Sequence, residues 1–150
     1  MVAIRRLACL GKSKGDGGWL TVRVVAEEGT LKPRIDGTEF GSITVDGEEI
    51  DHDILIRLDG RVKKRKKKLS KSKYGTSHLI SLAEAQYVYQ KGARLLIIGT
   101  GQHGLVRLDD EAQQFLAERG CQVALLPTPE AAQAWNAAEG NAIGLFHVTC

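Results

Sequence analysis

Gly99-Thr100-Gly101-Gln102-His103-Gly104 follows an apolar run and has the Gly-x-Gly-x-x-Gly form of a phosphate-binding turn. Glycine lets the backbone approach a ligand because no Cβ intervenes. A dinucleotide also needs a helix that starts at the glycines, so that its first amides meet the pyrophosphate. Here Leu105-Val106-Arg107-Leu108 alternates first, and a helix cap comes only at Asp109. The next strand ends at Leu126-Pro127-Thr128, with no acid to hold a ribose hydroxyl. A nicotinamide or flavin cofactor is therefore not expected. A small anion is the ligand class that remains. Thr100 and Thr128 would donate hydrogen bonds to it, and His103 would be the nearby acid–base group.

A second feature is charge. Nine of the 21 Lys and Arg residues lie within 61–73, which contains no acid, so a basic ribbon sits on an otherwise acidic chain. An electrostatic partner would be steered to Arg61, Lys63, Lys64, Arg65, Lys66, Lys67 and Lys68. Nucleic acid is one such partner, although Tyr74 is the only nearby aromatic for base stacking. The bland alternative is a solvated sheet edge, which lysines protect from pairing with other chains.

Other chemistry is weakly encoded. Gly11-Lys12-Ser13 resembles the end of a P-loop, but Arg6 stands where the leading glycine belongs. Alternation would send Asp51 and Asp53 to one face and His52 to the other. No two of His52, His78, His103 and His147 lie four apart, so no metal ligand set is assigned. Cys9, Cys121 and Cys150 are odd in number and widely separated, which points to a reducing compartment. No Gly-x-Ser-x-Gly elbow or adjacent Cys–His pair marks a nucleophile, and no catalytic residue is assigned.

The elements that would position these residues read as follows. Leu95 to Ile98 between glycines predicts a strand buried on both faces. Strands are also expected over Cys121 to Leu126 and Ala142 to Val148. Ser81-Leu82-Ala83-Glu84 opens a helix as a capping box, running to about Lys91 before Gly92. Asp109 caps the next, with Gly120 beyond its end, and Thr128 the last, with Pro129 in its first turn. Upstream, Glu39 to Val45, Glu48 to Leu58 and Arg61 to Leu69 read as a three-stranded meander joined by Asp46-Gly47 and Asp59-Gly60 turns. The expected fold is α/β, an antiparallel β-meander layer packed on a small parallel β-α-β-α-β layer. Residues 1–18 are expected as a glycine-rich arm, Trp19 to Ala26 as an extra strand, and 19–150 as one domain.

Phe40-Gly41-Ser42-Ile43-Thr44-Val45-Asp46-Gly47, Asp53-Ile54-Leu55-Ile56, Ile97-Ile98-Gly99-Thr100-Gly101, Thr128 to Asn136 and Leu145-Phe146-His147-Val148-Thr149-Cys150 occur in the order of one family. Over about residues 33–150 the chain resembles a small archaeal and bacterial α/β domain family of unknown function. Its relatives include mitochondrial complex I assembly factor 3 and an adipogenesis-associated domain protein. The resemblance implies a single α/β domain without an established enzymatic activity. It carries Gly99, Thr100, Gly101, Thr128 and Asn136 over as pocket candidates. It also marks the Lys-rich third strand as a departure, since relatives often have Trp and fewer charges there.

The expectation is thus a non-catalytic cytoplasmic domain acting by contact with another protein, in assembly or regulation of a complex, with no cofactor. The alternatives are a small-anion or nucleotide-binding protein using the Gly99–Gly104 turn and Thr128, or nucleic-acid binding through residues 61–73. No run of about 18 apolar residues is present to span a membrane.

Overall fold

The computed structural model describes residues 32–150; the expected arm at 1–18 and strand at Trp19 to Ala26 lie outside the described residues. The chain order is β1 (Ile35–Glu39), β2 (Ser42–Val45), β3 (Glu48–Ile50), β4 (Ile54–Ile56), β5 (Val62–Lys64), α1 (Lys68–Tyr74) and β6 (Leu79–Ile80). It continues with α2 (Leu82–Val88), β7 (Leu95–Thr100), β8 (Arg107–Leu108), α3 (Asp110–Glu118), β9 (Gln122–Leu126), α4 (Thr128–Ala137) and β10 (Ala142–His147). Strands β1-β2-β3 make an antiparallel sheet. A second, mixed sheet has the order β5-β4-β10-β7-β9, and β6 pairs with β8 in a short parallel ladder. The fold is α/β, with β10, β7 and β9 parallel as the β-α-β-α-β pattern requires.

The antiparallel strands are shared out differently from the expected meander. Asp46 (φ 49°) and Gly47 (φ 83°) make the primed turn that joins β2 to β3. The expected strand over Glu48 to Leu58 then breaks at Asp51-His52-Asp53, and β4 leaves to pair with β10 in the larger sheet. The reason lies in the side chains. Glu48 and Glu49 face solvent, whereas Ile54, Leu55 and Ile56 are all fully buried and need a strand position covered on both faces. The Asp59-Gly60 turn closes β4 onto β5, with Gly60 at φ 87°. β5 ends at Lys64, and Lys68–Tyr74 form a helix in place of the expected continuing strand. That helix stops at Gly75, which has left-handed backbone and donates to Lys71 O.

β7 is buried on both faces, and the two faces feed two cores. Leu96 and Ile98 join Leu55, Val88, Leu116, Ile143 and Leu145 beneath α2 and α3. Ile97 joins Ile35, Ile43, Ile54, Ile56, Trp135 and Phe146 beneath α4 and the β1-β2-β3 sheet. Each fully buried Ile or Leu contributes about 1.5–3 kcal/mol of transfer free energy. Trp135 packs edge-on to Phe146 at 6.1 Å between centroids, and its indole N–H donates to Pro33 O at 2.9 Å.

Helix starts follow the sequence at two of three positions. Asp109 accepts from Ala112 N at 2.7 Å, and Ser81 Oγ accepts from Glu84 N at 3.2 Å. The capping box is only half made, because the Glu84 carboxylate points elsewhere, and α2 ends at Val88, ahead of Lys91. Thr128 is not a cap: Pro127 holds the N-cap position, and the Thr128 hydroxyl is engaged across the sheet.

Candidate functional site

The densest polar constellation among the described residues surrounds Arg65. A guanidinium has five N–H donors and keeps its charge, so it is buried only where acceptors surround it. Arg65 grips Glu84 with two prongs, Nε to Oε2 at 2.5 Å and an Nη2 hydrogen bond to Oε1 at 3.0 Å. The same Nη2 donates to Ser77 O at 2.8 Å, and Nη1 donates to Asp53 Oδ2 at 3.0 Å. Ser70 Oγ donates to Glu84 Oε1 at 2.5 Å and accepts from Ser81 N at 2.9 Å. The sequence places these residues on β5's exit, the entry to β4, α1 and α2, so the network ties the β4-β5 hairpin to both helices.

Asp53 passes the network to the carboxyl edge of the parallel strands, where α/β sheets gather ligands. Phe146 pairs with Ile54 in the β10–β4 register, which sets His147 beside Asp53. His147 Nδ1 lies 2.7 Å from Asp53 Oδ2, and Asp53 Oδ1 accepts from Val148 N at 3.0 Å. Burial alone would raise the Asp53 pKa. The His147 hydrogen bond, the Val148 amide and the charges of His147 and Arg65 outweigh it and hold the carboxyl well below its usual range.

On the other side of His147 stand His78 and Cys150. The two imidazoles meet edge to face at 5.4 Å between centroids. One ligating atom from each of His78, His147 and Cys150 lies within 4.8 Å of the other two. His78 is held by Arg107 N donating to its carbonyl at 2.8 Å, and Cys150 by His103 N donating to its carbonyl at 2.9 Å. Burial first, then the charges of His147 and Arg65, lower the His78 pKa from its ordinary value. His147 and Cys150 lie three residues apart at the end of β10, but His78 comes from the distant loop before β6, which the sequence gives no reason to join to them.

The glycine turn is close to something, but to the chain itself. A Cβ on Gly101 would lie 2.2 Å from the Cys150 carbonyl carbon, and one on Gly99 would lie 2.9 Å from Thr128 Oγ1. The turn's amides are already donated: Gly101 N to Thr128 Oγ1, Gln102 N to Thr149 O, His103 N to Cys150 O and Gly104 N to Gly101 O. Thr128 Oγ1 in turn donates to His147 O at 2.6 Å and is fully buried, as Thr100 nearly is. His103 is exposed, its ring 6.3 Å from that of Phe40. Asn136 lies elsewhere, holding β1 to α4 by accepting from Ile35 N at 2.9 Å and donating to Ile35 O at 2.8 Å. Asn136 therefore lies apart from the turn, and the turn's backbone amides are donated within the chain, while Gln102 Nε2 is buried there without a hydrogen-bond partner among the described residues.

Residues 35–146 match the sequence profile of the family described as protein of unknown function (DUF498/DUF598). The chain belongs to this family. Among solved structures, a conserved hypothetical protein from Pyrococcus horikoshii OT3 is 32% identical with a TM-score of 0.71. That match covers 78% of this chain and 99% of that one. A protein designated MT938 is also 32% identical, with a TM-score of 0.66 over 79% of this chain and all of that one. A Mth938-like domain from Bordetella pertussis shares the fold at 16% identity, with a TM-score of 0.55, over 86% of this chain and 92% of that one.

In this DUF498/DUF598 member the basic ribbon is not continuous. Arg65 is buried in the ion-pair network, which removes it from the expected partner surface. Lys63, Lys64, Lys66, Lys68 and Lys71 are exposed and Lys67 is half-buried. None of these six makes an ion pair among the described residues. Arg61 pairs with Asp59 at 2.9 Å, and Lys73 with Glu111 at 2.9 Å. Lys63 and Lys64 border an open groove whose other wall carries Glu48, Glu49 and Asp51, so acids bound the basic face there. Tyr74 is not free for base stacking: Lys73 Nζ lies 5.1 Å from its ring centre and its hydroxyl binds Asp109.

Proposed function

We propose that this chain is a non-catalytic binding domain that acts by contact with an acidic protein surface, in assembly or regulation of another complex in the cytoplasm. The observation that carries the reading is the placement of unpaired lysines on an edge. β5 is an outer strand of the five-stranded sheet, with Lys63 and Lys64 exposed on it and Lys68 and Lys71 following, whereas Lys66 lies over the Tyr87 ring at 4.8 Å. A sheet edge offers unpaired backbone groups, and lysines there repel further basic strands while attracting carboxylates. Among the described residues no helix is long and apolar enough to cross a membrane.

The experiment is a pull-down of the tagged full chain from source cells, with and without nuclease, beside a Lys63→Glu/Lys64→Glu/Lys68→Glu variant. One stoichiometric protein that survives nuclease and is lost with the variant is the expected result. Partners that vanish with nuclease would replace this reading with nucleic-acid binding through residues 61–73. A partner retained equally by the variant would remove the basic edge from the account.

A further inference from the structure

We infer that His78, His147 and Cys150 form a binding site for a borderline-soft divalent ion of the zinc class. Two imidazole nitrogens and a thiolate are the donors such an ion selects over magnesium or calcium. Their ligating atoms lie within 4.8 Å of one another. Tetrahedral zinc, with bonds of about 2.0–2.3 Å, spaces its ligand atoms by roughly 3.5 Å. His78 and Cys150 are half-buried and keep the side-chain freedom to close that difference, while His147 is fixed.

The fixing of His147 is the second observation, independent of proximity. Its Nδ1 is committed to the buried Asp53 carboxylate at 2.7 Å, which leaves Nε2 as the nitrogen to bind. Metal-binding histidines almost always have such a partner, because it sets the tautomer and raises the basicity of the other nitrogen. Nε2 lies 3.1 Å from the Thr149 hydroxyl, a contact that an ion can displace. The backbones of all three residues are pinned as well: His147 O by Thr128, Cys150 O by His103 N and His78 O by Arg107 N.

Charge agrees with this assignment. Arg65 lies between Asp53 and Glu84, so these two carboxylates and one guanidinium sum to one net negative charge. A divalent ion bound to one thiolate brings one net positive charge, and the two neutralise each other without bulk solvent. Three protein ligands also leave a fourth position for water or for a side chain of a bound partner.

The test uses the full chain, reduced and stripped of metal, titrated with Co²⁺ and read by absorption. One equivalent should give the strong visible bands of tetrahedral cobalt and a near-ultraviolet thiolate-to-cobalt band, both bleached by one equivalent of Zn²⁺. Cys150→Ser should abolish the thiolate band, whereas Cys9→Ser and Cys121→Ser should retain it. His78→Ala should weaken Co²⁺ at least tenfold. Zn²⁺ should raise the melting temperature of the wild type but not of His78→Ala. A weak octahedral spectrum without a thiolate band, or bands that persist in Cys150→Ser, would overturn the site.

Discussion

Arg65 and Glu84 form a two-pronged ion pair between the exit of β5 and the first turn of α2, with side chains only 1% and 0% exposed. Buried pairs of this kind bring little net stability over apolar packing, yet they are costly to break one partner at a time. Arg65→Met should therefore cost about 3–5 kcal/mol, because Glu84 and Asp53 are left as uncompensated buried charges. Arg65→Lys should recover little, since an ammonium cannot reproduce the planar fork. Urea denaturation checks both. An Arg65→Met variant within about 1 kcal/mol of wild type would mean that the network does not hold the hairpin to the helices.

Asp53 is expected to contribute to the acid sensitivity of the fold. Its folded-state pKa is depressed below the ordinary 3.8, so its contribution is fully present above that value and is lost as pH falls toward the folded pKa. The urea midpoint of the wild type should decline steadily below about pH 4. Asp53→Asn should be less stable at neutral pH and flatter in that acid range. Parallel pH profiles for the two proteins would assign the acid sensitivity to other carboxylates.

Gly101 and Gly92 separate contact from backbone strain. Both have left-handed backbone, at φ 101° and 98°, but a Cβ meets the Cys150 backbone at Gly101 and open space at Gly92. Gly92→Ala should cost about 1 kcal/mol from conformation, and Gly101→Ala should exceed it, since backbone has to move. Thermal melts of the two variants provide the comparison. Equal losses would show that the tail does not rest on the turn.

The same packing predicts indifference to phosphate ligands. A ligand present at 100 times its dissociation constant would add about 2.7 kcal/mol and raise the melting temperature. Inorganic phosphate and a nucleotide panel should produce no shift, because the Gly101, Gln102 and His103 amides already have acceptors. A shift abolished by Thr128→Val would reinstate the glycine turn as a binding site.

Features set by local chemistry were legible in the sequence. Asp46-Gly47 needs positive φ at both residues, Asp109 caps its helix with its own carboxylate, and β7 is apolar from Leu95 to Ile98. What was not legible depends on partners far along the chain. Nothing near Arg65 distinguishes it from its neighbouring lysines; Glu84, in the next helix but one from β5, is what turns it inward. Thr128 has the residue type and position of a cap, but Gly101 and His147, brought close by the parallel strands, claim its hydroxyl. His147 and Cys150 stand three residues apart, a spacing that was readable, but the third member, His78, is 69 residues away from His147 and is brought in only by the fold. Glu84 itself carried a misleading signal, since its position three residues after Ser81 also satisfies a capping box.

The lysines on β5 also determine what cannot bind there. If two copies of this chain approached by that edge, each would present Lys63 and Lys64 to the same residues of the other, and the strands could pair only by forcing like charges together. Pairing of two copies along β5 is thus disfavoured by the charge of the edge itself.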